Sequence, residues 1–251
     1  MRDGRPDALR LGDLLGAAEL DALAGLASRR GCSVEELLIE VLAPYTRSPT
    51  TRAAEQAATP VLERASALDR LPGWQRSAVL AVGEAVRRGL TLRSGGRYRI
   101  GPGLVTNGRL HLRGPGIIAV GRDVNAWVRA EANRLETKSA TASIAIGDRV
   151  RLNGADIQAV AGISIGDDCI LGSCTLVDTD YHGVEPSSRG RPSARPITVG
   201  RNVWIGGSVV LKGVSVGDNS VIGLGSVVTE DVPPDVLVAG NPARVVRPLS
   251  G

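Results

Sequence analysis

Hydrophobic and polar positions change rhythm once along this chain, near Leu92. Before that point apolar residues recur at helical spacing. Leu20, Leu23, Ala24 and Ala27 follow an i, i+3, i+4, i+7 pattern, and Gly31 is a natural stop. Ser33-Val34-Glu35-Glu36 has the form of a capping box, with Ser33 as N-cap and Glu36 reaching back to its amide. The helix behind it carries Leu37, Leu38, Val41 and Leu42 and should end before Pro44. Residues 45–58 read as a linker. Thr59-Pro60 opens a third helix, Pro72-Gly73 breaks it, and a fourth is predicted from about Trp74 to Arg88, ending at Gly89.

Beyond Leu92 a five-residue phrase, aliphatic-Gly-polar-polar-small, returns five times. It begins at Val120, Ile146, Ile165, Val199 and Val216, at intervals of 26, 19, 34 and 17 residues. Against a turn of about 18 residues these are single turns with local insertions, so the phrase marks one corner of a coil. A six-residue step links Val199, Ile205 and Leu211, then Val216, Ile222 and Val228 after a one-residue shortening. Three such sides predict a triangular turn. The aliphatic residue should point inward and stack on its neighbours in the turns above and below. Four positions later a small residue should face in, a place held by Cys169, Thr175, Val203, Val209, Ser220 and Ser226. Gly, Asn and Asp should take the sharp corners. Strands of successive turns pair in parallel, which leaves an open edge at each end. The helical region suits one end and the Pro-rich C-terminal stretch the other. The expectation is therefore a mainly β chain: an α-helical cap or association module over 1–92 and a parallel β-helix over 93–251, with a loop at 181–196.

Composition supports a narrow interior. The 251 residues include no Phe, three Trp and three Tyr, yet 43% are hydrophobic, so Val, Ile, Leu and Ala must fill the core. The formal net charge of +4 favours anionic ligands. Its arginines are scattered, however, with no basic block of the kind that binds nucleic acid. Three cysteines without a disulfide or zinc pattern suit a reducing compartment. The opening MRDGRPDALRLGDLL lacks an apolar h-region, and no run of 18 apolar residues occurs. These features predict a cytoplasmic chain without a membrane partner and without a metal.

The candidate chemistry lies between Asp178 and Arg247. The 16-residue excess between Ile165 and Val199 is an excursion from the coil, and His182, one of two histidines, stands at its start in DTDYH. A neutral imidazole can take the proton of a hydroxyl nucleophile. Such a base needs a partner; Asp178, Asp180 and Glu185 are the local carboxylates, and Asp180 is chosen. His111 lies among decayed repeats and reads as a surface histidine. Cys174, one position before Thr175, reads as a structural residue at a corner.

The stretches PITVGRNVWIGGSVVLKGVSVGDNSVIGLGSVVTEDVPP and VAGNPARVVR resemble those of hexapeptide-repeat acyltransferases, in the maltose and galactoside O-acetyltransferase-like branch. The resemblance covers about 100–248 and is specific from 178 onward. It implies a left-handed parallel β-helix, a homotrimer, and a catalytic histidine, here His182, facing a cleft between subunits. The implied donor is acetyl-coenzyme A and the implied acceptor a hydroxyl of a sugar or glycosylated metabolite. By the same resemblance Trp204, Gly207, Leu224, Thr229, Arg244 and Arg247 are coenzyme positions. The Gly207 amide would face the thioester carbonyl, and the two arginines the adenosine phosphates. Leu224 stands where Ala is common, and Glu230 where Lys is common. Alternatives are N-acetylation of an amino-sugar or antibiotic and a non-catalytic assembly scaffold. Residues 18–43 also resemble the helical part of ribbon-helix-helix DNA-binding domains, without the basic strand.

Overall fold

The computed structural model describes residues 72–128, 131–183 and 193–249, with 187, 190 and scattered positions between 24 and 36. The chain divides into two units, 1–88 and 89–251. In the first, Gly31 adopts φ 68° and closes the turn, its N–H donating to Ser28 O at 3.2 Å and that of Cys32 to Ala27 O at 3.2 Å. The capping box is present: Ser33 N–H donates to Glu36 Oε2 (2.8 Å) and Glu36 N–H to Ser33 Oγ (3.1 Å). The helices expected over 37–43 and 59–71, and the linker, lie outside the described residues.

Helix α1 spans Gly73–Arg93, five residues past the expected end at Arg88. A glycine inside a helix costs only about 1 kcal/mol relative to alanine, too little to stop one. The terminator is Gly95-Gly96, both at positive φ, with the Gly96 N–H reaching Thr91 O at 3.4 Å. Among the described residues no helix is long and apolar enough to cross a membrane.

The second unit is the expected parallel coil. Three six-stranded sheets form its faces; from Ser143 to Val228 each turn gives a strand to each, whereas the first two turns reach the second face only through the bridges at Val105 and Asn125. The first face holds β1 (Tyr98–Ile100), β3 (Ile117–Val120), β5 (Ser143–Ile146), β8 (Gly162–Ile165), β11 (Ile197–Val199) and β14 (Ser215–Val216). The second holds β6 (Arg151–Asn153), β9 (Ile170–Gly172), β12 (Trp204–Ile205), β15 (Val221–Ile222), β17 (Val236–Ala239) and β18 (Arg244–Pro248). The third holds β2 (Leu110–Arg113), β4 (Asn133–Thr137), β7 (Asp156–Ala159), β10 (Thr175–Val177), β13 (Val209–Leu211) and β16 (Val227–Val228). Every pairing is parallel except β17 with β18, where the chain doubles back antiparallel along the last edge.

The repeated phrase sets the register. Val120, Ile146, Ile165, Val199 and Val216 are direct Cα partners, and Ile100 joins them one turn earlier. All six are buried. The glycine that follows each is required by close approach. A Cβ on Gly121 would lie 2.5 Å from Gly147 O, and one on Gly166 would lie 2.6 Å from Gly200 O. Left-handed backbone falls instead on the second polar residue, with φ between 55° and 61° at Asp123, Arg149, Asp168, Asn202 and Asn219. Side-chain oxygens cap the stack, as where Asp218 accepts the Arg201 N–H at 2.7 Å.

One expectation on the third face is corrected. Val210, not Leu211, is the inward residue, and Cys174 and Ser208, not Thr175 and Val209, fill the small inward positions. The corner between the second and third faces is one residue shorter than supposed: Ile205 to Val210 spans five positions, as do Leu152 to Ile157 and Leu171 to Leu176. In the next turn Ile222 to Val228 spans six, and the extra residue, Leu224, protrudes with 84% of its surface exposed.

Gly166→Ala should therefore destabilise the coil by about 1–3 kcal/mol, because the added methyl meets backbone that cannot yield. Gly172→Ala, whose Cβ would have its nearest neighbour at 3.9 Å, should change stability by less than about 1 kcal/mol. Urea unfolding of the two variants checks the pair.

Candidate active site

The excursion leaves the coil after β10, at the corner between the third and first faces. Asp178 anchors it. Its fully buried carboxylate accepts the amides of Val160 (2.7 Å), Ala161 (2.8 Å) and Gly162 (2.7 Å) from the turn above, and its carbonyl receives Arg195 N–H at 2.9 Å as the chain returns. Thr179 bridges Ala194 antiparallel, and Asp180 N–H donates to Ser193 O at 3.2 Å. The loop thus has a paired neck. Asp178 is a structural residue, since its carboxylate is buried with both oxygens bound to backbone amides.

A second tie lies on the neck. Asp180 accepts hydrogen bonds from Lys212 Nζ and from Ser193 Oγ (2.9 Å), and Lys212 also donates to Ser193 Oγ. The Lys212 ammonium, then the Ser193 hydroxyl, hold the Asp180 carboxyl below the usual carboxylate range. Arg195 lies over Gly213, whose N–H donates to Arg195 O at 3.0 Å. Sequence reasoning missed Lys212, although a signal existed. It follows Asp178 by 34 residues, the same interval that separates Ile165 from Val199.

His182 follows this neck. Its N–H donates to Asp180 O at 2.6 Å, while its exposed imidazole makes no hydrogen bond to a described residue. Asp180, the expected partner of the imidazole, spends its carboxylate on Lys212 and Ser193. Tyr181 takes φ 59°, a sparsely populated conformation for a bulky residue, and donates its hydroxyl to Gln158 Oε1 on β7. Glu185 lies outside the described residues.

The expected coenzyme positions fall into separate groups. Trp204 points outward from the second face, 39% exposed, and is not a core residue. Gly207 and Leu224 share the corner between the second and third faces, where a Cβ on Gly207 would meet Leu224 Cδ1 at 2.7 Å. The Gly207 carbonyl accepts Gly225 N–H at 2.9 Å, whereas its own N–H donates to no described residue. Thr229 follows β16 at the corner where Lys212 follows β13. Arg244, at the start of β18, sits 3.3 Å from Glu230 Oε1, both exposed, and Arg247 donates to Pro248 O at 3.0 Å. Within one chain His182 and Gly207 therefore occupy different corners, separated by the whole third face.

Both coil cysteines are buried. Burial pushes the Cys174 thiol up to about 12 and the Cys169 thiol to about 11, so neither supplies a thiolate nucleophile near neutral pH. Among the described residues no three metal-ligating side chains converge.

Residues 143–178 and 196–230 match the family model described as the hexapeptide repeat of succinyl-transferase, and the break between the two segments coincides with the excursion. Two segments of the coil are thus similar to that repeat. Galactoside O-acetyltransferase of Escherichia coli (strain K12) is 45% identical over 91 residues, which are 35% of this chain and 45% of that protein. A Staphylococcus aureus (strain MRSA252) protein that bears the name "putative acetyltransferase" is 54% identical over 63 residues, 25% of this chain and 32% of its own. The chain spans less than half the length of these relatives. In fold it is similar to a point mutant of AntD, an N-acyltransferase from Bacillus cereus crystallised with an amino-dideoxyglucose nucleotide and coenzyme A. That likeness has a TM-score of 0.50 at 16% identity, covering 65% of this chain and 89% of that one.

The Lys212 clamp has a pH signature. Because the Asp180 pKa is lowered, its stabilisation is present above the ordinary carboxylate range and lost as pH falls through the folded value, below 3.8. Protection of the Asp180 and Arg195 amides, measured against their intrinsic exchange rates, should be high at neutral pH and fall only below about pH 4. In Lys212→Met it should be low throughout. Equal protection in the two proteins at pH 7 would mean that the lysine does not hold the loop.

Proposed function

We propose that this chain is an acetyltransferase that moves an acetyl group from acetyl-coenzyme A to a hydroxyl of a sugar or glycosylated metabolite. The observation that carries the reading is an exposed imidazole without a hydrogen-bond partner among the described residues, on a loop fastened at both ends of its neck to a hexapeptide-repeat coil. The chain's similarity to galactoside O-acetyltransferase supports it.

In this reading His182 accepts the acceptor's hydroxyl proton as the oxygen attacks the thioester carbon. The carbon–oxygen bond forms, the carbon–sulfur bond breaks, and His182 returns its proton to the departing sulfur. The Gly207 N–H, which donates to no described residue, donates to the oxygen on which negative charge develops. Asp180 acts by fastening the backbone that carries His182. Trp204, Leu224 and Thr229 line the coenzyme's path, and Arg244 and Arg247 meet its phosphates. Since His182 and Gly207 stand on different corners of one chain, the site is completed by His182 of one subunit and Gly207 of a neighbour in a homotrimer.

Replacing His182 by Ala should leave folding and donor binding intact and lower kcat roughly 10²–10⁴-fold, the usual worth of a positioned general base. An active His182→Ala variant, together with a stable mass gain of one acetyl group after donor incubation, would overturn direct transfer. Light scattering should find a trimer at micromolar concentration; a monomer would remove the shared site.

The donor end gives a separate test. Arg244→Ala with Arg247→Ala should raise KM for acetyl-coenzyme A with kcat nearly unchanged, because contacts far from the thioester are uniform binding. Glu230→Gln, which releases Arg244 from its carboxylate, should lower that KM. A fall in kcat at constant KM would show that the coenzyme lies elsewhere.

A further inference from the structure

The outward positions of the third face form two columns in register. One runs His111, Arg134, Asp156 and the other Arg113, Glu136, Gln158, and both turn to apolar or hydroxyl side chains from β10 onward. The charged part is therefore confined to the first turns. There His111, Arg113, Arg134, Leu135 and Glu136 line a small open hollow of about 40 Å³.

The charges in this hollow do not cancel. Glu136 is held by Lys138 at 2.8 Å, and Asp156 accepts Gln158 Nε2 at 3.2 Å. Neither the Arg113 nor the Arg134 guanidinium donates a hydrogen bond to, or pairs with, a carboxylate of a described residue. Elsewhere on the coil Arg122, Arg149 and Arg201 each meet a carboxylate of the next turn. Side chains on adjacent strands stand about 4.8 Å apart, and those two positions apart on one strand about 6.7 Å. Arg113, His111 and Arg134 are thus close enough to share one bound group. Partial burial, then the charges of Arg113 and Arg134, lower the His111 pKa, as a cationic cluster awaiting an anion requires.

Beyond the hollow, the same face runs toward the loop that carries His182. Gln158, which receives the Tyr181 hydroxyl, is in the same column as Arg113 and two strands away, a span of about 10 Å. We infer that His111, Arg113 and Arg134 bind an anionic group of the acceptor, a carboxylate or a phosphate, while its reacting hydroxyl lies at His182. The inference rests on the acetyltransferase reading and deepens it: the acceptor is an acidic or phosphorylated sugar. Two guanidinium forks match the oxygens of either group, and His111 gains a proton and donates a further hydrogen bond once the anion arrives. Anion affinity should accordingly rise as pH falls through the His111 titration.

The test separates binding from turnover. With only two histidines in the chain, the His111 ring resonances can be followed by NMR in the intact protein, with His182→Ala giving the assignment. Inorganic phosphate, glucose 6-phosphate and glucuronate should shift them and raise the His111 pKa, while glucose should not. The double variant Arg113→Gln, Arg134→Gln should abolish the response. In thiol-release assays the wild type should acetylate the anionic sugar with kcat/KM at least about tenfold above its neutral counterpart. The variant should lose that preference with an unchanged KM for acetyl-coenzyme A. Unmoved His111 resonances, or equal rates on glucose and its anionic forms, would overturn the inference. So would displacement of glucose 6-phosphate from His111 by coenzyme A, which would assign the hollow to the donor. A His111 response without acetyl transfer to any sugar would instead sink the acetyltransferase reading and leave the anion site standing.

Discussion

The structure depends on how closely parallel turns must approach at one corner. Adjacent strands lie about 4.8 Å apart, and at the phrase corner the backbone of one turn rests on that of the next. Only glycine fits there, as the 2.5–2.7 Å approaches at Gly101, Gly121, Gly147 and Gly166 make plain. This contact locks the register, and the register places every other residue. It puts Val120, Ile146, Ile165, Val199 and Val216 in one buried column. It also brings Lys212 beside the loop that departs one turn earlier.

A coil held this way can carry a long excursion, provided the turns on either side remain joined. Asp178 and Lys212 meet that requirement differently. Asp178 is buried and satisfies three amides of the turn above, so it secures the coil itself. Lys212 reaches up from the turn below to the rim of the neck, where Asp180 and Ser193 meet. Between them the proposed base stands on a fastened stem with its imidazole open to solvent. The same economy appears at the opposite corner, where the single extra residue Leu224 is expelled over Gly207 because the interior has no room for it.

The early turns show how far the repeat can decay while the coil persists. Asn133 is fully buried on β4, yet its side chain donates to Ala126 O and Leu152 O and accepts the amides of Gly154 and Ala155. A polar residue that satisfies four backbone groups substitutes for an aliphatic one without an unpaired atom. Outside, these turns gather positive charge at Arg113 and Arg134 beside His111, whereas later turns present Val177, Val209 and Leu211 on the same face. One face thus offers two surfaces, decided by its outward residues alone.

By itself the sequence determined the period, the corner and the direction of pairing, because the aliphatic-glycine phrase is a local requirement of stacked backbone. It also marked the excursion, by an interval of 34 in place of about 18, and it marked His182 by resemblance. The terminus of α1 was misjudged because Gly89 and Gly95 look equally able to stop a helix until their backbone angles are known. The exchange of Leu211 for Val210 went unseen because a corner of five residues and a corner of six leave the same apolar pattern in a run of valines. Only the tertiary structure could assign Asp178 to the coil and Asp180 to Lys212. Carboxylates two positions apart in DTD are chemically alike, and their partners lie 16 to 32 residues away in other turns. Only it could separate His182 from Gly207, because which corner a residue occupies depends on every corner before it.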